Sequence, residues 1–369
     1  MNSVPLHRIP TREIAEHLAH AAEKFPFLGA LTAEVLMDVV RVELGDGHIL
    51  DRFSPCGSHF SRAVAPREIL HIVSGNTPHA ALQSLLRGLL LGSHNRVKIP
   101  STGLPEVEAF RSALPASLAE RVEISLSLPD AWLHSADAVI VFGNDETIAH
   151  FRTRVPPGRI FQAHGHRVSF GIIFDDPDLA SIDAAARDAS LYDQQGCLSP
   201  HLFYINERNG LSARTYAARL AGAMEAFNQH TPRGPLSVHE AAAIADLRAS
   251  YQFRSSNDVR AQIWCSEGST AWTVVYEEEG WFASSPLNRF IFVKPLPPNL
   301  DTVLEPVRHW IGAIGIWPAT EMHAEVLFPL GASRICPIGK MQFPPFTWHA
   351  EGKANLASLI RWVDFEPKP

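Results

Sequence analysis

The sequence predicts an α/β protein of two domains with mostly parallel sheets. Three observations carry that expectation. From Glu68 onward, short β-rich runs alternate with helical stretches, the pattern of βαβ units whose parallel sheet is covered on both faces. The chain has 369 residues, a length that favours about two domains of roughly 150 residues each. Hydrophobic residues make up 46% and charged residues 19%, a balance that supplies a sizeable core and opposes disorder.

Residues 1–65 mix a helical run, Thr11 to Lys24, with a polar, glycine-bearing stretch from Gly45 to Gly57. The run Ile69-Leu70-His71-Ile72-Val73 reads as a strand, closed by Ser74-Gly75-Asn76-Thr77-Pro78. A helix, Ala80 to Leu91, follows and stops at Gly92. Arg96 to Ile99 is a second strand, Pro105 to Ala113 a helix, and Val122 to Leu126 a strand. A helix starts near Pro129, and Ala138 to Phe142 is the next strand. Each parallel crossover is expected to be right-handed.

After Ile172-Ile173-Phe174 comes an alanine-rich helix, Pro177 to Leu191, and the loop Tyr192 to Pro200 leads into a strand, His201 to Ile205. Helical segments occupy roughly 211–229 and 235–250. A hairpin is expected from Trp272–Tyr276 through the Glu-Glu-Glu-Gly run to Trp281-Phe282, then a strand at Arg289 to Val293. The last 70 or so residues read as a strand (Ile311 to Ile316), a helix (Ala319 to Leu327), a strand (Ser333 to Ile338) and a helix (Asn355 to Trp362). The domains are expected to join near residue 190.

The formal charge is -7, with 32 basic and 39 acidic residues and neither sign gathered into a block. That argues against nucleic acid as a main partner, because phosphate neutralisation needs a concentrated basic surface. A small anionic ligand needs only a local patch. The amino terminus has charges throughout and no signal-peptide core. No stretch approaches the roughly 18 uninterrupted apolar residues of a membrane span, so a cytoplasmic location is expected. Cys56, Cys197, Cys265 and Cys336 stand far apart with no C-x-x-C pair, which opposes a disulfide framework or a structural zinc.

Four segments are candidates for chemistry. Cys197 lies in a Gly/Pro-punctuated loop, Asp193-Gln194-Gln195-Gly196-Cys197-Leu198-Ser199-Pro200. That placement suits an accessible nucleophile assisted by a cation or helix end; a packed loop thiol is the alternative. Asn76 closes a strand before a helix, where its amide suits a developing oxyanion or an ordinary N-cap. Lys98, followed by Ser101, sits at the end of a parallel strand, where ligands bind; a solvated lysine is the alternative. Gly143 and Glu146 lie between a strand and a helix, a place where backbone approaches phosphate, although the G-x-G-x-x-G fingerprint is absent. His164 and His166 form an H-x-H with no third ligand in view, so no metal site is expected, and both are candidates for proton transfer or for structural roles.

In order, these segments resemble the aldehyde dehydrogenase superfamily, and within it the acyl-CoA reductase branch known from the fatty-acid reductase of bacterial bioluminescence. The likeness rests on His71 to Pro78, Arg96 to Ser101, Phe142 to Glu146, Gly165 to Phe170 and Asp193 to Pro200. The ending, Gly339 to Pro344 with Trp348-His349 and the segment to Trp362, resembles that branch more loosely. The resemblance implies an aldehyde dehydrogenase-like build with an interdomain active site. A nicotinamide cofactor-binding domain would span 1–190 and a catalytic domain 191–340, with a C-terminal segment at 341–369. It implies Cys197 as nucleophile, Asn76 as oxyanion-hole amide, Lys98 at the adenosine ribose, and Gly143 and Glu146 at the cofactor-binding turn, which lacks a second glycine here.

One departure bears on the chemistry. Hydrolytic aldehyde dehydrogenases carry a glutamate before a Gly-Gly pair, and the matching stretch, Phe161 to His166, has no carboxylate. Without that base, thiol exchange or hydride delivery is favoured over water. The expected activity is reduction of an acyl-CoA or acyl-protein thioester to an aldehyde, with NADPH, or NADH, as reductant and an acyl-cysteine intermediate. An acyl-protein synthetase is an expected partner by the same resemblance, and a homo-oligomer is usual in the superfamily. The alternatives are an aldehyde dehydrogenase running oxidatively and a non-reducing acyl-transfer subunit.

Overall fold

The computed structural model describes residues 9–75, 77–208 and 211–367. Along them run α1 (Thr11–Ala22), α2 (Ala33–Leu44), β1 (Ser54–Cys56), β2 (His59–Val64), β3 (Glu68–Ile72), α3 (Pro78–Leu90), β4 (His94–Lys98), α4 (Pro105–Ala113) and α5 (Ala116–Ala119). Then come β5 (Val122–Ser125), α6 (Asp130–Ser135), β6 (Ala138–Phe142), α7 (Asp145–Arg154), β7 (Ile160–His164), β8 (Val168–Ile173), α8 (Leu179–Ser190) and β9 (Pro200–Ile205). The remainder is α9 (Ala213–His230), α10 (Val238–Asn257), β10 (Ala261–Cys265), β11 (Thr273–Glu277), β12 (Phe290–Pro295), α11 (Leu300–Leu304), β13 (Ile311–Trp317), α12 (Glu321–Leu327), β14 (Arg334–Pro337) and β15 (Arg361–Phe365). Two compact units result, one running through His166 and resuming at Pro345, the other Arg167–Pro344. The division falls at 166/167 where the sequence suggested about 190, because β8 and β9 pair in one sheet and carry α8 with them.

The first unit is built on a five-stranded parallel sheet of order β5-β4-β3-β6-β7. Helix α3 explains why the sheet forms where it does. Pro78 sits in its first turn, where the missing N–H costs nothing, and Leu82, Leu85, Leu86, Leu89 and Leu90 are fully buried. A helix apolar on so many sides has to be covered on so many sides. Each such leucine stabilises the unit by roughly 1.5–3 kcal/mol. The chain leaves α3 at Gly92, whose φ of +76° suits glycine.

One polar network locks α3 to the strands beneath it. The buried His71 ring on β3 meets Ser84 Oγ at 2.8 Å through Nδ1 and Asn95 Oδ1 at 3.0 Å through Nε2. A Cβ on Gly88 would stand 1.9 Å from that Asn95 oxygen, so only glycine lets the helix approach so closely. Desolvation pulls His71 down to about 4, which keeps the ring neutral at ordinary pH.

A three-stranded antiparallel sheet, β1-β2-β15, completes this unit. Here the sequence expectation fails: Asn355 to Trp362 is not a helix. The Glu43 carboxylate accepts from the backbone N–H of Asn355 (3.1 Å), Leu356 (2.6 Å) and Ala357 (3.2 Å), fixing one short turn at Ala357–Leu359. Beyond it, residues 361–365 are drawn into antiparallel pairing with β2, Arg361 opposite Val64 through Phe365 opposite Phe60. Partners some 300 residues away in sequence overrule the local pattern.

The second unit holds a seven-stranded sheet, β10-β11-β12-β9-β8-β13-β14, parallel except for the antiparallel edge strand β10. Fully buried Phe170, Phe203, Tyr204 and Phe290 fill it, and Gly171 is required because a Cβ there would meet the Phe203 ring at 2.3 Å. The expected hairpin at 272–282 is corrected as well. Strand β11 pairs backward with β10, which the sequence reading lacked, and parallel with β12; Trp281-Phe282 is not in a strand. The cause is Glu277, read from its charge as turn but buried at the end of β11 in an ion pair with Lys294 Nζ at 2.6 Å. Arg248 pins the true hairpin turn by donating to Thr273 Oγ1 at 2.8 Å and Ser269 O at 2.6 Å.

Candidate active site

In the first unit, chain direction reverses its order across β3 and β6: β4 and β5 lie to one side, β7 to the other. Such a switch point opens a crevice at the carboxyl ends of the strands, where doubly wound sheets bind ligands. Three strand ends, those of β4, β6 and β7, carry described candidate residues at that edge. Lys98, half-buried, is the last residue of β4, and its carbonyl accepts from Val73 N at 3.1 Å. Ser101 is exposed in the turn that follows. Asn76 lies outside the described residues.

Gly143 follows β6, with its N–H donating to His164 O at 3.2 Å. A Cβ here would stand 2.9 Å from the Thr147 side chain, so glycine is what allows α7 to start so close to the strand. Asn144 caps that helix, accepting from Thr147 N at 2.9 Å. Glu146 is exposed in its first turn beside Asp145. A carboxylate pair at this end satisfies the helix dipole and suits hydroxyl groups better than a phosphate.

His164 ends β7. Its ring stacks on Phe142 with centroids 4.5 Å apart, and Nδ1 lies 3.3 Å from Glu351 Oε1. Sequence reading missed Glu351. It lies almost 190 residues further on, and only the return of the C-terminal segment brings it there. The stretch Phe161 to His166 thus has no carboxylate of its own, yet the fold places one beside it. His166 is exposed. Among the described residues, no group of three or more His, Cys, Asp or Glu is arranged to hold a metal ion.

The second unit carries Cys197, an exposed thiol in no disulfide. Its loop is built by an unusual backbone: Tyr192, Asp193 and Gln194 have φ values of 53°, 51° and 63°. Non-glycine residues in this region cost of order 1–3 kcal/mol each unless the surroundings hold them. A second left-handed run, Leu287, Asn288 and Arg289 (φ 64°, 57°, 65°), does so. Asp193 Oδ1 pairs with Arg289 Nη2 at 2.7 Å, and Gln195 Nε2 donates to Asn288 Oδ1 at 2.9 Å. Gln194, fully buried, donates to Pro200 O (2.8 Å) and Phe290 O (2.9 Å) and accepts from Phe290 N (2.9 Å).

The turn bearing the thiol is closed by Ser199 N donating to Gly196 O at 2.9 Å. Ser169 Oγ donates to Cys197 O at 3.0 Å while accepting from Ala313 N at 3.0 Å. Gln342 Nε2 donates to Ser199 Oγ. None of Ser169, Gln194 or Gln342 was legible as part of the site. By contrast Cys336 is buried, and desolvation pushes its thiol up to about 11, where it is not a nucleophile.

The fold is aldehyde dehydrogenase-like. An aldehyde dehydrogenase from Bacillus cereus, solved with NAD+, superposes with a TM-score of 0.66 over 99% of this chain and 86% of its own, at 16% identity. Aldehyde dehydrogenase 21 from Physcomitrella patens gives 0.67 over 98% and 86%, at 11% identity. A family model, acyl-CoA reductase (LuxC), matches residues 8–362, and the chain belongs to that family. Similar curated relatives include the long-chain acyl-protein thioester reductases of Aliivibrio fischeri (24% identical, 90% of this chain and 70% of that one) and Photorhabdus luminescens (25%, with the same coverage).

Proposed function

We propose that this chain reduces an acyl-CoA or acyl-protein thioester to an aldehyde through an acyl-cysteine at Cys197, with NADPH, or NADH in its place, as reductant. The observation that carries the reading is the exposed Cys197 thiol, held on a braced left-handed loop in a member of the acyl-CoA reductase family. The Cys197 thiolate attacks the thioester carbonyl, and the C–S bond to the carrier breaks as the carrier thiol leaves with a proton. Asn76 and the Cys197 backbone N–H are the proposed oxyanion donors. A nicotinamide cofactor, when bound, supplies the hydride that reduces the acyl-cysteine carbonyl. Collapse of the resulting hemithioacetal breaks the bond to Cys197 Sγ, restores the thiolate and releases aldehyde.

The parallel sheet with its switch point, and the Gly143 turn that no Cβ would fit, suit a nicotinamide dinucleotide. Lys98, Ser101, Gly143 and Glu146 are the residues proposed to hold it. His164 is the proposed proton donor and acceptor, oriented through Nδ1 by Glu351, with His166 a second candidate. Where the substrate is an acyl-protein, an acyl-protein synthetase is the proposed supplier. Among the described residues no helix is long and apolar enough to cross a membrane, which suits the proposed cytoplasmic location. A homo-oligomer is proposed as well.

A second reading is favoured by one observation, the His164–Glu351 pair. Such a pair can deprotonate water, and acid release from an aldehyde without thiol would mark an oxidative aldehyde dehydrogenase. Intact-mass measurement after mixing the protein with acyl-CoAs of several lengths, then with NADPH, separates the readings. A single acyl adduct on Cys197 that disappears with aldehyde formation is expected. An adduct that NADPH leaves untouched would indicate an acyl-transfer subunit, and no adduct at all would remove the proposal.

A further inference from the structure

Within the first unit, α3, β6, β7 and the C-terminal segment enclose a cleft of about 400 Å³ open to solvent, lined by Ser84, Arg87, Gln162, His164, Lys353 and Asn355 among others. The residue that sets its chemistry is Arg87.

Arg87 is only 7% exposed. Its Nη2 donates to Gln83 Oε1 at 3.3 Å, its guanidinium lies 5.4 Å from the Phe346 ring centroid, and its Nε is buried without a partner. Glu43 acts on it through space, with no hydrogen bond to the guanidinium. That carboxylate is committed elsewhere, accepting from the N–H groups of Asn355, Leu356 and Ala357. Desolvation accordingly pulls Arg87 down to about 10. A buried cation without a direct anion is costly to a fold, and the cost falls when a ligand supplies one.

The remaining lining is consistent with that role. Asn355 Nδ2 is spent on Trp348 O at 2.8 Å, and Gln162 Nε2 on Ser358 Oγ at 2.5 Å. Ser84 Oγ is engaged with His71 at 2.8 Å. His164 is matched by Glu351 at 3.3 Å. Lys353, exposed, adds a second positive charge from the C-terminal segment. Arg87, with its unpartnered Nε–H, and the exposed Lys353 are the two cations of a lining whose other polar side chains are engaged.

We propose that this cleft binds a compact carboxylate, a small organic acid or the acid end of a larger one, through Arg87 with Lys353 assisting. A guanidinium is a preferred partner of a carboxylate, Arg87 keeps an Nε–H for one, and a carboxylate's single charge balances the one buried cation. The cleft shares His164 with the proposed reductase site, but binding a carboxylate there requires neither thioester nor cofactor.

The test is calorimetric titration and thermal unfolding of the full chain with acetate and succinate, at ionic strength held constant with chloride, and with inorganic phosphate as a separate arm. Saturable binding of acetate or succinate with a rise in Tm is expected. Arg87→Lys keeps the charge but loses the guanidinium, and should weaken the affinity about tenfold, the factor carried by roughly 1.4 kcal/mol. Lys353→Met, at an exposed position, should weaken it about threefold, within the range of an exposed charge pair. No saturable binding beyond chloride would overturn the proposal, as would affinities unchanged in Lys353→Met. Binding of phosphate without acetate or succinate would overturn the carboxylate assignment.

Discussion

Gln194 and Phe290 are joined by two hydrogen bonds, side-chain Oε1 accepting from Phe290 N at 2.9 Å and Nε2 donating to Phe290 O at 2.9 Å. The amide thus pairs with a strand end much as a neighbouring backbone would. Because Gln194 itself is left-handed, this pairing fixes the loop that presents Cys197. Replacing Gln194 with Ala removes these bonds while Phe290 N keeps Leu287 O and Phe290 O keeps Ser285 Oγ, so the expected loss is about 0.5–1.5 kcal/mol per hydrogen bond. Urea unfolding should show that loss, and the Cys197 alkylation rate should change as the loop loosens.

Cys197→Ser should abolish the acyl adduct and lower reductase turnover by at least about a thousandfold, since a hydroxyl is a far weaker nucleophile near neutral pH. Cys336→Ala, at a buried thiol, should leave the adduct in place. Full reductase activity in the Cys197→Ser protein would end the acyl-cysteine mechanism.

Lys98→Gln tests the cofactor assignment. If Lys98 holds the cofactor alike in ground and transition states, the substitution raises KM for NADPH and leaves kcat near the parent value. Steady-state kinetics read the split. A drop in kcat alone would place Lys98 at the chemistry instead.

Gly88→Ala should destabilise the first unit although alanine is the better helix former by about 1 kcal/mol. The added Cβ meets Asn95 Oδ1 at 1.9 Å, so the His71–Asn95 hydrogen bond has to break or the helix has to lift. Overpacking of this kind costs roughly 1–3 kcal/mol. Thermal unfolding decides the sign.

Two buried groups give stability opposing pH slopes. His71, held down to about 4 by desolvation, is neutral in the native state while the unfolded ring takes a proton below about 6.5. Its contribution is therefore lost as pH falls from 6.5 to 4. Asp188 is pushed up to about 7 by burial, against the Gly339 N–H that its Oδ2 accepts at 2.5 Å. Native Asp188 keeps its proton where the unfolded carboxyl has lost it, so its contribution is lost as pH rises from about 4 to 7. Asp188→Asn removes the second slope and should expose the first. Urea unfolding across this range should show the variant losing stability on acidification more steeply than the parent, by up to about 1.4 kcal/mol per pH unit. Parallel pH curves for the two proteins would contradict the assignment.

Much of this molecule was written locally. The alternation of β-rich runs and amphipathic stretches located β3, β6, β9, α3 and α8 to within a few residues, because a parallel strand buried on both faces and a helix sealed beneath a sheet need apolar side chains that show in any short window. Cys197 and Gly143 stood out for the same reason: a loop thiol and a strand-to-helix glycine are marked by their immediate neighbours. What the sequence left open was every feature whose cause lies far along the chain. The strand at 361–365 reads as helix until β2 offers its edge, and Glu277 reads as turn until Lys294 neutralises it in the core. Glu351 reaches His164, and Gln194 reaches Phe290, only once the sheets have closed. Hydrogen bonds and ion pairs are short-ranged and directional, so they carry no periodicity for a sequence to display. The tertiary structure alone decides which carboxylate meets which imidazole, and which buried guanidinium is left without an anion.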